Sequence, residues 1–491
     1  MLQKAKLHLR ELTGRAAEEY RFLTKPTLIL AAVYLAAISA VLRANFFYHD
    51  DIQRACWGWP NWGFSRHVSN LLSKVLHTGT YLTDISPLPQ ILAVGIIALT
   101  GVLCIHLITG KKEITFWQLV AAVPIGISPY FLECLSFKFD APYMALSVFF
   151  SVVPLLLCRK KWYLYVLGVA ACTVAMSSSY QASSGIFPML VIVLGICRWI
   201  KGESIMQVLR FYLISAAAFL LGLVIYRTFF MEELNAYATT AMAPLTQMIP
   251  NAVFNYKRYI VHFLEGFNPE WLAAAFILCL CFLVTAVGCS RQNKLFTFVL
   301  VGLAMIVMFV LAFGVYPFLM EPLFYPRAMY GIGCFIAFMG IFAVSEGKKG
   351  YVAKGVSLML AWAFLVFALT FGNALSVQAQ YTDFRITEVI DDLAVCDTLA
   401  QEDVTLQITG TIGYAPGVES MLDSYPMIRK LVPVTFQGDG WWGEFGIRYY
   451  YGLPEFRFAE TYDPPTGLPL IAENHYHAIY ADDTYIWIDL Y

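Results

Sequence analysis

Two adjacent carboxylates, Asp50 and Asp51, stand where a long apolar stretch gives way to polar chain, with Arg54 close behind. On an extended backbone such a pair points to opposite sides. One carboxylate can then enter a cleft while the other caps a helix or holds a partner. A partly desolvated Asp holds its proton more tightly, which suits a general base acting on a hydroxyl. Arg54 follows Asp50 by one helical turn, within reach of either carboxylate. Similar polar clusters recur at Asp84, at Glu133, Lys138 and Asp140, at Tyr180 and Gln181, at Arg227, Glu232 and Glu233, and at Glu321 and Arg327. Lys138, Arg227, Arg258 and Arg327 are candidates for an anionic group at a membrane surface. Arg binds phosphate through a planar fork and Lys as a point charge. Each residue also has a plain reading: an N-cap, a solvated loop charge or, for Arg327 beside Pro326, snorkelling to lipid headgroups.

The elements that must carry these residues are read from hydropathy. Hydrophobic residues make up 59% of the 491 and charged residues 14%, against roughly 45–50% and about 25% in soluble domains. Eleven stretches are long and apolar enough to span a bilayer. They lie near 27–47, 86–109, 114–132, 140–157, 162–179, 182–200, 207–229, 271–289, 295–316, 325–345 and 351–372. The first is too long, and starts too late, for a cleavable signal peptide. Short cytoplasmic loops retain Lys and Arg. The basic N-terminal segment and every second loop (Lys111-Lys112, Arg159 to Lys161, Arg198 and Lys201, Arg291 and Lys294, Lys348-Lys349) obey that rule together. The N-terminus is therefore expected in the cytoplasm, and everything after the eleventh span outside. All the polar clusters of the first paragraph then fall on the outer side, where convergent charges at helix ends suggest a site.

Three regions follow. Residues 1–26 hold an amphipathic basic helix, read over 3–23, for the inner leaflet. Residues 27–372 form the membrane domain, with two outside segments read as interfacial helices, Val68–Leu76 and Ala252–Leu264. Residues 373–491 form a soluble α/β domain, with strands in 403–413 and 475–490, a hairpin turn at Ala481 to Thr484, and helices over 384–400 and 418–431. From Asp383 onward, eighteen acidic residues face five Lys and Arg, which argues against an anionic polymer, nucleic acid included, on this surface. Trp57, Trp59 and Trp62, and Trp441-Trp442 beside Gly438, Gly440 and Gly443, offer flat faces on which sugar rings pack. An interfacial belt explains the first group equally well, and a core the second. Cys56, Cys134 and Cys396 are too scattered for a disulfide framework. No metal-ligand spacing, phosphate-binding loop or cofactor motif occurs.

Four segments, Phe47 to Arg54, Asp84 to Gln90, Glu133 to Asp140, and Tyr180-Gln181, occur in order, and together they resemble the bacterial type II Gtr glucosyltransferase family. The resemblance covers roughly the first 200 residues and is weak in the tail. Ser65-Arg66 and Cys134 depart from the family pattern, where Gly-Arg and Asn are usual. The resemblance implies a GT-C fold in the bacterial plasma membrane and a polyprenyl-phosphate-linked sugar, usually glucose, as donor. The acceptor would be a surface polysaccharide or lipid-linked glycan outside the membrane. It further implies an acidic catalytic base in the first outside loop, landing on Asp50 or Asp51, and inversion in a single displacement. Lys138, Arg327 and Arg54 would then meet the donor phosphate, and Asp84, Glu133, Asp140, Tyr180 and Gln181 the sugar or acceptor hydroxyls. Neither a metal nor a cofactor is required if cations neutralise the departing phosphate.

A transporter or flippase of a lipid-linked sugar is the main rival. It calls for ionisable groups near span midpoints and for duplicated halves. A membrane sensor with an outer binding domain would not need so many polar residues in the membrane-side loops.

Overall fold

The computed structural model describes residues 18–491 except 59–61, 63–64, 232–241, 245, 347–349, 395–403, 439–441, 452–456 and 460–464. The expected amphipathic segment up to residue 17, Glu232 and Glu233, Trp59, Trp441, Cys396 and Lys348-Lys349 thus lie outside the described residues.

In chain order the helices are α1 Thr24–Ala44, α2 Asp51–Trp57, α3 His67–Leu76, α4 Leu88–Thr109, α5 Phe116–Ala122, α6 Pro124–Ile127, α7 Pro129–Ser136, α8 Ala141–Val152, α9 Trp162–Ser177, α10 Ile186–Ile200, α11 Ile205–Phe229, α12 Met248–Gly266, α13 Pro269–Cys289, α14 Lys294–Leu311, α15 Gly331–Glu346, α16 Tyr351–Leu393, α17 Pro416–Leu422, α18 Ile428–Leu431 and α19 Trp442–Tyr451. Seven helical stretches, those ending or lying in α1, α4, α10, α11, α13, α14 and α16, are long and apolar enough to cross a membrane. Large apolar side chains such as Leu213, Phe276 and Leu303 stand exposed on them, as the outer surface of a bundle in lipid requires. Shorter apolar helices at 141–157, 162–177 and 331–346 occupy three more of the expected spans.

The remaining expected span, 114–132, is not one straight helix. It is bent by 58° between α6 and α7. The physical reason is Pro129, whose ring forces the preceding Ser128 out of the helical region, to φ −57° and ψ 149°. A window of hydropathy averages over such a break. The bend carries Glu133, on α7, into the interior, where it is completely buried.

A second departure concerns the boundary at 372/373. Helix α16 continues without interruption for 43 residues, about 65 Å at 1.5 Å per residue and roughly twice the hydrocarbon thickness. Polar residues such as Asn373, Gln378, Asp383 and Arg385 end the apolar run, but no Gly or Pro between 373 and 393 ends the helix. The helix read at 384–400 is the far half of this rod, and that read at 418–431 is two short helices, α17 and α18.

Strands β1 Thr405–Gly410, β2 Arg457–Phe458, β3 Leu470–Glu473, β4 His477–Ala481 and β5 Tyr485–Leu490 form a mixed sheet ordered β2-β1-β5-β4-β3. Strand β1 runs parallel to β2 and β5, and β4 is antiparallel to β5 and β3. The β4–β5 turn is closed by Asp482, whose Oδ1 accepts from the Thr484 and Tyr485 amides at 2.8 and 2.9 Å. The tail core packs Ile479, Ile486, Ile488, Leu406 and Ile408 against Ile386, Val389 and Leu393 of α16.

Helices α1 and α16 lie against each other at Gly372, where an added Cβ would overlap Val41 N and Ala40 C. Small residues let helix backbones approach in this way. The expected result is that Gly372→Ala lowers the melting temperature of the detergent-solubilised protein by several degrees. Gly355→Ala in the same helix, with nothing within 4 Å of its Cβ, leaves it unchanged. Equal melting temperatures would show that the contact is not tight.

Candidate active site

The chain leaves α1 through Asn45 and turns again at His49, both left-handed with φ 49°. Asn and His tolerate that conformation better than most residues. These two turns fold Phe47–Asp50 back over the end of the bundle. Asp50 itself is helical, φ −67° and ψ −9°, so the two carboxylates diverge because α2 begins between them and not because the backbone is extended.

Their environments are opposite. Asp50 is exposed. Asp51 is completely buried, and its Oδ2 accepts from the Tyr48 amide at 3.1 Å and the Lys138 amide at 2.9 Å. Burial pushes the Asp51 carboxyl well above the usual carboxylate range, while the two amides and Arg54 pull it down. Asp51 therefore acts as a clasp between the first polar loop and the α7–α8 loop. In this conformation a substrate hydroxyl cannot reach it.

The other charges expected at the site are brought to the same end of the bundle, and largely to one another. Lys138 Nζ lies 2.9 Å from Asp84 Oδ2 and 3.8 Å from the centre of the Phe47 ring, only 2% exposed. Arg54 does not hold Asp50 or Asp51. It reaches Asp140 at 3.3 Å and lies against the Trp62 ring, and Arg66 reaches the other Asp140 oxygen at 3.5 Å and covers Tyr180. Glu133 accepts from the Arg327 amide at 2.6 Å and from its guanidinium. Gln181 donates to Tyr226 Oη at 3.0 Å. Sequence reasoning named the members of these pairs without their partners, and it passed over Arg66 and His49. Arg66 carried a signal, since it is the Arg of the Gly-Arg that the family pattern has there, with Ser65 in place of the Gly.

Of the remaining expected cations, Arg227 reaches Met242 Sδ at 3.6 Å, and Arg258 covers Phe324 at 4.0 Å from the exposed side of α12. Neither is shown in contact with the cluster. Helix α12 buries Asn255 and Tyr259 against the 317–323 loop, and it leaves Ile249, Val253 and Leu264 outward, as an interfacial helix would.

Next to Asp50 in the chain, His49 shares two rings with Arg327. Arg327 sits 4.4 Å from the Tyr325 ring centre and 5.4 Å from that of Phe137, and His49 lies 6.0 and 6.2 Å from the same two rings. Asp50 lies within electrostatic reach of both His49 and Arg327. Burial and the Arg327 charge push the His49 imidazole down to about 3, so it is neutral at physiological pH. A neutral imidazole and a guanidinium thus share two aromatic rings, with the exposed Asp50 carboxylate within electrostatic reach of both. Such a set can take a proton from a hydroxyl and steady an anion beside it. Among the described residues no group of three or more His, Cys, Asp or Glu is placed to hold a metal ion.

A bundle of apolar helices with a paired-charge cluster at one end is the architecture of a membrane protein that gathers its polar chemistry at one end. The chain matches the family described as Glucosyl transferase GtrII over residues 39–342, and it belongs to that family. It is accordingly a glycosyltransferase. It is also similar to an uncharacterized 55.3 kDa protein in the gtrB 5' region of Salmonella phage P22, with 24% identity over 429 residues, 84% of this chain and 87% of the phage protein. No solved structure matches.

Proposed function

We propose that the protein transfers a sugar, glucose by family, from a polyprenyl-phosphate donor to a surface glycan such as O-antigen, outside the plasma membrane and with inversion. Asp50 is the general base. It removes the proton of the acceptor hydroxyl as the oxygen attacks the anomeric carbon, and the polyprenyl phosphate leaves from the opposite face. Arg327 neutralises the departing phosphate with the part of its five-donor fork that Glu133 does not occupy. His49 stays neutral beside it and adds no competing positive charge. The observation that carries this reading is the exposed Asp50 beside Arg327, backed by the buried Asp51 clasp. The location of phage P22's similar protein beside gtrB supports the O-antigen context.

Lys138 and Arg54 take a different part from that expected of them. All three cations are paired, Lys138 with Asp84, Arg54 with Asp140 and Arg327 with Glu133. Arg327 is given the phosphate because it is the one on which the Asp50 charge acts, and the other two hold the loops. Likewise Glu133 and Asp140 orient cations, and Tyr180, buried under Arg66, packs the site from within, which leaves the half-buried Gln181 for a sugar contact.

The reading is tested with membranes containing the protein, polyprenyl-phosphate [14C]glucose and delipidated surface polysaccharide. Label is expected in the polymer. Release of label without polymer labelling would change the acceptor, whereas its movement across sealed vesicles with no covalent transfer would favour the flippase.

A further inference from the structure

Away from the paired charges, a cleft of about 740 Å³ opens on the tail between α16 and the β3–β4 hairpin. Its lining alternates rings with acids: Tyr381, Tyr476 and Tyr480 with Glu473 and Asp489. Tyr480 is held flat by stacking on Trp487, 4.5 Å between ring centres, and Trp487 is fixed by its indole N–H to Thr409 Oγ1 at 2.7 Å. Thr409 in turn donates to Asp489 Oδ1 at 2.7 Å. The cation of the cleft, Arg385, is buried, and three protein oxygens take donors from its Nη1 and Nη2, while its Nε, also buried, has no partner among the described residues. The three oxygens are Tyr381 Oη at 2.8 Å and the backbone oxygens of Tyr476 and Tyr491. The rings are therefore set in place before any ligand arrives. The ionised side chains left to face one are two acceptor-only carboxylates.

We infer that this cleft is a second saccharide-binding site that holds a neutral, hydroxyl-rich stretch of the acceptor polymer. Rigid aromatic faces suit the C–H face of a pyranose, and carboxylates accept from its vicinal hydroxyls. Two carboxylates facing the cleft, with Arg385 buried behind the rings, disfavour an acidic polymer or nucleic acid. The position fits as well. Tyr381 and Arg385 lie eight and twelve residues beyond Asn373, which pairs with Arg43 at the end of α1. That is roughly 12–18 Å along one rigid helix, on the side of the bundle that carries Asp50. The inference rests on the proposed function for the identity of the polymer as acceptor, but not for binding.

The test is isothermal titration of the full-length protein in nanodiscs with delipidated, neutral surface polysaccharide from the cells that carry the gene, and with polygalacturonate as an acidic control. Wild type is expected to bind the neutral polymer and not the acidic one. Glu473→Gln and Tyr480→Ala each weaken binding at least tenfold and raise the KM for polymer by the same factor. Tyr480→Phe retains it, and kcat at saturation is unchanged in all three. Absence of binding by wild type, equal binding of polygalacturonate, or wild-type affinity in both weakened variants would overturn the proposal. Polymer binding without sugar transfer would instead count against the enzymatic reading and leave the cleft standing.

Discussion

Asp50→Asn is expected to abolish most transfer while leaving the protein as stable as wild type, and Asp51→Ala to do the reverse. A positioned base contributes about 10²–10⁴ in rate. Asn keeps the size of the exposed Asp50 side chain but cannot accept the proton, so the loss falls on kcat. Asp51 is buried, and its Oδ2 takes the amides of Tyr48 and Lys138. Removing it strands two buried N–H groups at about 1–3 kcal/mol each, and thermal melting followed by size-exclusion fluorescence should shift down accordingly. Asp51→Asn keeps one acceptor oxygen and should fall between the two in stability. If Asp51→Asn lost transfer at full stability while Asp50→Asn kept it, the two roles would be exchanged.

Arg327→Ala is expected to lose both transfer and stability, and only the second is recoverable. Glu133 has no solvent access and meets Arg327 through both the amide and the guanidinium. Deleting one member of a buried pair leaves an unpaired charge at about 3–5 kcal/mol. Adding Glu133→Gln to Arg327→Ala removes that charge, and the double variant should accumulate in membranes close to wild type. Transfer stays lost, because nothing replaces the cation at the leaving phosphate. Arg327→Lys keeps a charge but not the planar fork and should retain partial transfer. Recovery of transfer in the double variant would reduce Arg327 to a structural counter-charge.

Much of the bundle was legible because hydropathy is a local sum. Ten of the eleven apolar stretches recur as apolar helices, and the eleventh, 114–132, as a bent pair. That bend was also local in cause, at Pro129, but an average over twenty residues hides one residue's dihedral. The helix that runs through the 372/373 boundary was missed for a related reason. Polarity changes at Asn373, helix propensity does not, and α16 follows the second. The Ala481–Thr484 turn was readable because an Asp side chain closes it within three residues.

The sequence by itself determined the inventory of chemistry: the Asp50-Asp51 pair, the acids, the cations and the spans that bring them to helix ends. Only the tertiary structure decided how they are used. Asp140 meets Arg54 and Arg66 from different loops, and Glu133 meets Arg327 across 194 residues. Charge pairing depends as 1/r on distances that packing sets, and neither spacing nor periodicity carries those distances. The same holds for Asp50 and Asp51. They are chemically identical neighbours, and one is a candidate base and the other a clasp because α2 starts between them and the 137–140 loop closes over only one.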